Sequence, residues 1–223
     1  MELNNIVKTL RRKNYIVYEQ PNKLNIVGIR SKNETSVTFD DYIAFFYYDE
    51  SGKLKGKVCP ATTDPSVVWL QSPMSNMGTA ILKSGQYIDS HNIGIHKRKY
   101  QALVQANPVT VIRDNDRNSL LNFFATTETG VFGINIHRAS YGKNNVEIIG
   151  LDSAGCQVFK NPSDFDEMMA LARISAAKYG NSFTYTLIDE QDEVKNARNY
   201  LLIGGIFIAI GVYGYFLYKK LNK

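Results

Sequence analysis

Two side chains in this 223-residue chain have the types needed to open an acyl bond together, a thiol and an imidazole. Cys156 lies in Asp152-Ser153-Ala154-Gly155-Cys156-Gln157, and His137 ends the stretch Gly130-Val131-Phe132-Gly133-Ile134-Asn135-Ile136-His137-Arg138. A thiol becomes a strong nucleophile when a neighbouring imidazole takes its proton. The oxyanion that then develops needs fixed N–H donors, and a tight turn of small residues can supply them from its backbone. Ser153, Ala154 and Gly155 are such residues, and Gly155 can take backbone angles that a Cβ forbids. The competing reading is a buried thiol that packs as a small hydrophobe and an unrelated histidine.

The stretch before His137 alternates like a strand. Phe132, Ile134 and Ile136 share one face, while Gly133, Asn135 and His137 share the other. This pattern buries the first set and presents the imidazole on the opposite side. After Cys156, Asn161-Pro162-Ser163-Asp164 reads as a helix start, with Phe165, Met168, Met169, Ala172 and Ala176 on one face and Gly180 as the stop. That helix is expected to pack behind the turn. Upstream, 3–13 reads as an amphipathic helix with a basic end. Tyr15–Glu19, Leu24–Arg30, Asp41–Tyr48 and Leu54–Ala61 read as strands, followed later by Pro108–Arg113 and Ser182–Ile188. Asp114-Asn115-Asp116-Arg117-Asn118 opens like a calcium loop, but Ser119 stands at the required glycine and Ala125 at the closing acid, so an Asx-rich turn is expected.

His137, fifteen intervening residues and then Ser153-Ala154-Gly155-Cys156 resembles the active-site pattern of the L,D-transpeptidase catalytic domain family. Members of that family carry a His and, after a short interval, Ser/Thr-His-Gly-Cys. The resemblance implies that Cys156 forms a thioester with a peptidoglycan stem peptide and that His137 is its base. It also implies that the Arg138 carbonyl orients the imidazole and that the turn of Ser153, Ala154 and Gly155 forms the oxyanion hole. Ala154 stands where the family has a second His, Gln157 replaces a hydrophobic residue, and Val158 replaces Asn or Arg. Asn135, His96 and Lys97 are the expected substrate contacts, with the basic run His96-Lys97-Arg98-Lys99 facing stem-peptide carboxylates. A solvated turn is the alternative for that run. The run Gly130 to Phe159 also resembles phage-encoded proteins.

Net charge is +5, and the four-residue basic run is the nearest approach to a basic stripe, so no nucleic-acid partner is expected. The three histidines and two cysteines show no metal-ligand spacing, and neither a metal nor a cofactor is expected. Cys59 and Cys156 are expected to remain unpaired, since a disulfide would consume the nucleophile.

The stretch 199–218 holds no charged residue and is followed by Lys219, Lys220 and Lys223. Twenty helical residues rise about 30 Å, the thickness of a bilayer's hydrocarbon core. The expected fold class is therefore mainly β with flanking helices (α+β), an L,D-transpeptidase-like β body plus one C-terminal transmembrane helix. Its expected divisions are a β-rich N-terminal lobe over 1–65, a catalytic domain over 66–188, a polar connector over 189–198, the span over 199–218 and a basic tail over 219–223. The functional expectation is a membrane-anchored cysteine enzyme that cleaves or transpeptidates peptidoglycan stem peptides through a thioester, with the lytic kind carried by a phage virion as the favoured form. Its expected partners are peptidoglycan, a lipid membrane through 199–218, and virion proteins or further copies of itself. The alternative is an inactive structural virion membrane protein on an inherited enzyme scaffold.

Overall fold

The computed structural model describes residues 1–140 and 147–191. Helix α1 (Leu3–Arg12) is followed by strands β1 (Asn25–Arg30), β2 (Asp41–Tyr48) and β3 (Leu54–Thr62) and the short helix α2 (Val67–Gln71). Then come β4 (Thr79–Leu82), β5 (Gly85–His96), β6 (Tyr100–Gln105), β7 (Val109–Asp114), β8 (Thr127–Gly130) and β9 (Ile136–Arg138). Strand β10 (Gln157–Phe159), helix α3 (Pro162–Tyr179) and strand β11 (Phe183–Asp189) complete the described elements. Eight strands close a barrel in the order β1-β11-β5-β6-β9-β10-β3-β2, and β4, β7 and β8 form a separate three-stranded sheet.

Two parallel pairings close the barrel. Strand β1 runs parallel to β11, with Val27 opposite Thr186, and β9 runs parallel to β10, with His137 opposite Val158. The neighbouring antiparallel pairs β1–β2, β2–β3 and β5–β6 are hairpin-like and local.

The main core joins inward-facing barrel residues such as Ile26, Phe45, Leu103, Ile136, Phe159 and Tyr185 to the apolar face of α3. Phe165, Met168, Met169 and Ala172 of that helix are buried there, and Leu82 and Val111 extend the same cluster into the small sheet. Helix α1 covers the outer face, where Ile6, Val7 and Leu10 pack on Val27, Ile29, Ala44 and Phe46. Burying each such aliphatic side chain is worth about 1.5–3 kcal/mol. The alternating patterns of β1 and β2 therefore hold two layers at once.

The expected fold class is corrected. In place of an L,D-transpeptidase-like body, the described residues form a closed eight-stranded barrel with a second small sheet and three helices. Among the described residues no helix is long and apolar enough to cross a membrane. The stretch 199–218 lies outside the described residues, as does most of the expected connector over 189–198.

The physical reason for the change lies in the closure. Parallel neighbours such as β1 and β11 are joined by no turn, so no local residue pattern signals them. A local reading also failed at Tyr15–Glu19, which is not a strand. Its backbone is engaged by side chains instead, the Ile16 N–H by Gln86 at 2.8 Å and the Tyr18 N–H by Asn25 at 2.8 Å.

Candidate active site

Parallel neighbours point registered residues to the same side, so the β9–β10 register fixes the relation between imidazole and thiol. Val158 is opposite His137, and Cys156, just before β10, packs in the cluster that contains Val158, which puts the thiol on the side of the sheet that Val158 and His137 share. Ile134, Ile136, Gln157 and Phe159 take the opposite, inward side, all buried. Ile134 and Ile136 are thus buried as their alternation predicts, and Phe132 packs against the same core from a half-buried position.

His137 is itself only 2% exposed. Its Nδ1 donates to the Arg138 carbonyl oxygen at 2.9 Å. A carbonyl can only accept, so the proton is on Nδ1 and Nε2 carries a lone pair. That Nε2 is buried and has no hydrogen-bond partner among the described residues. Burial drives the imidazole's pKa down to about 3, helped by His96, against the pull of the Arg138 carbonyl. The ring is therefore neutral at physiological pH, with its lone pair on Nε2. Arg138 acts through its backbone; its guanidinium lies over the Tyr100 ring, 4.2 Å from the centroid.

Cys156 is a free, half-buried thiol. Its sulfur donates to the Gly133 carbonyl oxygen at 3.4 Å and packs beside the small cluster of Phe39, Ala139, Ile149 and Val158. Desolvation pushes the thiol's pKa up, while the Asn135 backbone N–H and the Lys97 charge pull it down. The resting pair is thus a neutral thiol and a neutral imidazole. No thiolate–imidazolium ion pair is stored.

The turn before Cys156 is pinned from beneath. Ser153 is fully buried, and its hydroxyl lies 2.8 Å from both the Asp64 and the Cys156 carbonyl oxygens. It also accepts the Gly155 N–H at 3.2 Å. This spends the Gly155 donor expected in the oxyanion hole. The Ala154 and Cys156 N–H groups donate to no group among the described residues. Gly155 has φ +118, and a Cβ there would stand 2.3 Å from the Ala80 carbonyl oxygen, so only glycine fits.

The β5–β6 hairpin brings the basic run to the site. His96, at its tip, is buried and stacks on His137 with ring centroids 4.1 Å apart and planes 22° from parallel. Asn135 Nδ2 donates to His96 Nδ1 at 3.1 Å, and Asn135 Oδ1 accepts the Gln105 N–H at 2.9 Å. Asn135 and His96 therefore position the His137 ring. Lys97 stays exposed in the turn, with φ +47, near enough for its charge to depress both histidines. Of the three expected substrate contacts, Lys97 is the one that faces solvent.

Sequence reasoning missed the inner supports. Gln157 is fully buried and gives its amide N–H to the Gly155 and Thr63 carbonyls, each at 3.1 Å, while Tyr185 donates to its oxygen at 2.7 Å. Gln105 Oε1 accepts the N–H groups of Phe132 and Ile134, and its Nε2 holds the Gly130 carbonyl. The signal for Gln157 was present, a polar residue at an inward position of a strand. No comparable signal marks Gln105. Among the described residues no group of His, Cys, Asp and Glu could hold a metal ion. The Asp114 carboxylate instead caps its own turn through the N–H groups of Asp116 and Asn122.

No protein-family model, no curated protein and no solved structure matches the chain.

Proposed function

We propose that the chain is a cysteine-nucleophile enzyme that transfers or hydrolyses the acyl groups of peptidoglycan stem peptides through a Cys156 thioester. The observation that carries this reading is the buried, neutral Nε2 of His137, without a partner among the described residues, on the side of the sheet where the thiol packs beside Val158. A buried polar atom without a partner costs about 1–3 kcal/mol, and a reacting group is a common reason to keep one.

In the proposed reaction Cys156 leaves its Gly133 contact and attacks the substrate carbonyl as Nε2 takes the thiol proton. The Ala154 and Cys156 N–H groups receive the oxyanion. The imidazolium then protonates the departing amine, leaving a thioester. Water or a second amine attacks the thioester with His137 again taking the proton, which returns to the thiol when the carbon–sulfur bond breaks. Peptidoglycan is the substrate class implied by the His137 to Cys156 resemblance, and a phage virion or a bacterial envelope is the setting in which such an enzyme would work.

A second reading, an inactive structural protein, is favoured by one observation: the thiol is bonded to Gly133 rather than to His137. Digestion of purified peptidoglycan separates the two. The wild-type chain is expected to alter the muropeptide profile and Cys156→Ala is expected to leave it unchanged. Identical profiles from both would support the structural reading.

A further inference from the structure

We infer that the cavity between Trp69, Arg113, Phe132 and Ala154 is the pocket for the acyl-donor side chain at Cys156, and that it prefers a side chain ending in a carboxylate. The inference rests on the proposed thiol chemistry and deepens it.

The cavity measures about 220 Å³. Sites for whole drug-sized ligands span about 300–1,000 Å³, so this one suits a single amino-acid side chain. A larger cavity of about 440 Å³, lined by Arg30, Lys83 and Phe123 among others, shares no residue with the Cys156 turn.

Three residues that line the smaller cavity adjoin the segments that hold the nucleophile. Ala154 lines it two residues before Cys156. Phe132 lines it and is followed by Gly133, whose carbonyl oxygen holds the sulfur. Ala80 lines it and lies against Gly155, the residue before the nucleophile. Among the described residues, no atom beyond Gly133's own chain neighbours stands within 4 Å of where a Gly133 Cβ would be, so the ground beside the sulfur's carbonyl partner is open.

Trp69, Met74, Ala80, Phe132 and Ala154 give the cavity apolar surface for an aliphatic stem. Arg113 gives it a fixed charge. The guanidinium carbon lies 4.6 Å from the Phe132 ring centroid, Nε donates to Glu128 at 2.7 Å and Nη1 donates to the Gly78 carbonyl at 3.3 Å. Arg113 Nη2 donates to no group among the described residues. A guanidinium held on a ring and by two acceptors, with one nitrogen left over, presents a pre-oriented donor to an incoming oxygen. Glu128 is half-exposed at the rim and offsets part of the charge, so the preference is for a single terminal acceptor group rather than a polyanion.

The test uses peptidyl acyloxymethyl ketones that differ only in the residue joined to the reactive ketone. Glu, Gln and Lys are compared, and labelling of Cys156 in the full chain is followed by intact mass. The expected order is Glu over Gln over Lys, with Glu ahead of Gln by roughly tenfold or more, as a site built to bond a polar group rejects poorer partners. Arg113→Gln is expected to abolish the Glu preference while leaving the iodoacetamide rate at Cys156 unchanged, a control for folding. Equal labelling by all three probes would overturn the pocket assignment and leave the thiol chemistry standing. Failure of every probe together with iodoacetamide would overturn both.

Discussion

At the scale of single residues, the site resembles a Ser–His arrangement in its proton bookkeeping more than a stored ion pair. Burial holds His137 neutral down to about pH 3 and raises the Cys156 thiol above its ordinary range. In the proposed reaction activation therefore occurs during attack, by general-base removal of the thiol proton. The pH profile of Cys156 alkylation by iodoacetamide follows. It is expected to rise continuously toward alkaline pH, with no plateau between pH 4 and 8. A plateau there would reveal a preformed thiolate. Arg138→Ala is a second residue-scale prediction. The imidazole is held by the backbone carbonyl, so this substitution is expected to change the acylation rate several-fold less than His137→Gln does, as measured by stopped-flow with an activated ester.

At the scale of elements, the site depends on how β9, β10 and the turn between Asp152 and Gln157 are clamped from inside the barrel. Gly155→Ala forces a Cβ into the Ala80 carbonyl at a backbone angle that side chains rarely adopt. A cost of about 1–3 kcal/mol is expected, read as a lower urea midpoint together with loss of Cys156 acylation. Gln157→Leu leaves the Tyr185 hydroxyl and the Thr63 and Gly155 carbonyls without their partner. A similar loss of about 1–3 kcal/mol per stranded buried group is expected in the same assay.

Much of this scale was legible from residue patterns. The burial of Ile134 and Ile136, the strands read at 41–48 and 54–61, and the Pro162 helix start appear in the structure, since each is written in neighbouring residues, but the strand read through 130–138 is broken over 131–135, where Gly133 takes φ +78. The meeting of His96 with His137 was only half legible. The basic run reads as a turn, but the hairpin that folds His96 onto β9 has no local mark. The parallel closures β1–β11 and β9–β10 left no signature either, because loop closure joins residues too distant for any periodicity to record.

At the scale of the whole molecule, the core holds the Cys59 thiol and the Tyr185 phenol away from water, with Tyr87 half-buried against them. Desolvation raises Cys59 and Tyr87 to about 12 and Tyr185 well above its ordinary value. The unfolded chain therefore loses these protons first as pH rises. Their contribution to stability is complete below about pH 9 and is lost as pH climbs toward 12, at ~1.4 kcal/mol per pH unit for each buried group. Thermal scans are expected to show a flat Tm up to pH 9 and a steep fall beyond it, and a Tm unchanged to pH 11 would mean that these groups are solvated.

The central proposition, that the whole fold exists to set a neutral imidazole beside a neutral thiol, is tested most directly by acylating Cys156 with an activated ester at neutral pH in wild type and in His137→Gln. General-base catalysis predicts that the substitution slows acylation by about 10²–10⁴-fold while the far-UV spectrum and urea midpoint stay close to wild type. Equal rates in the two proteins would mean that His137 never takes the thiol's proton.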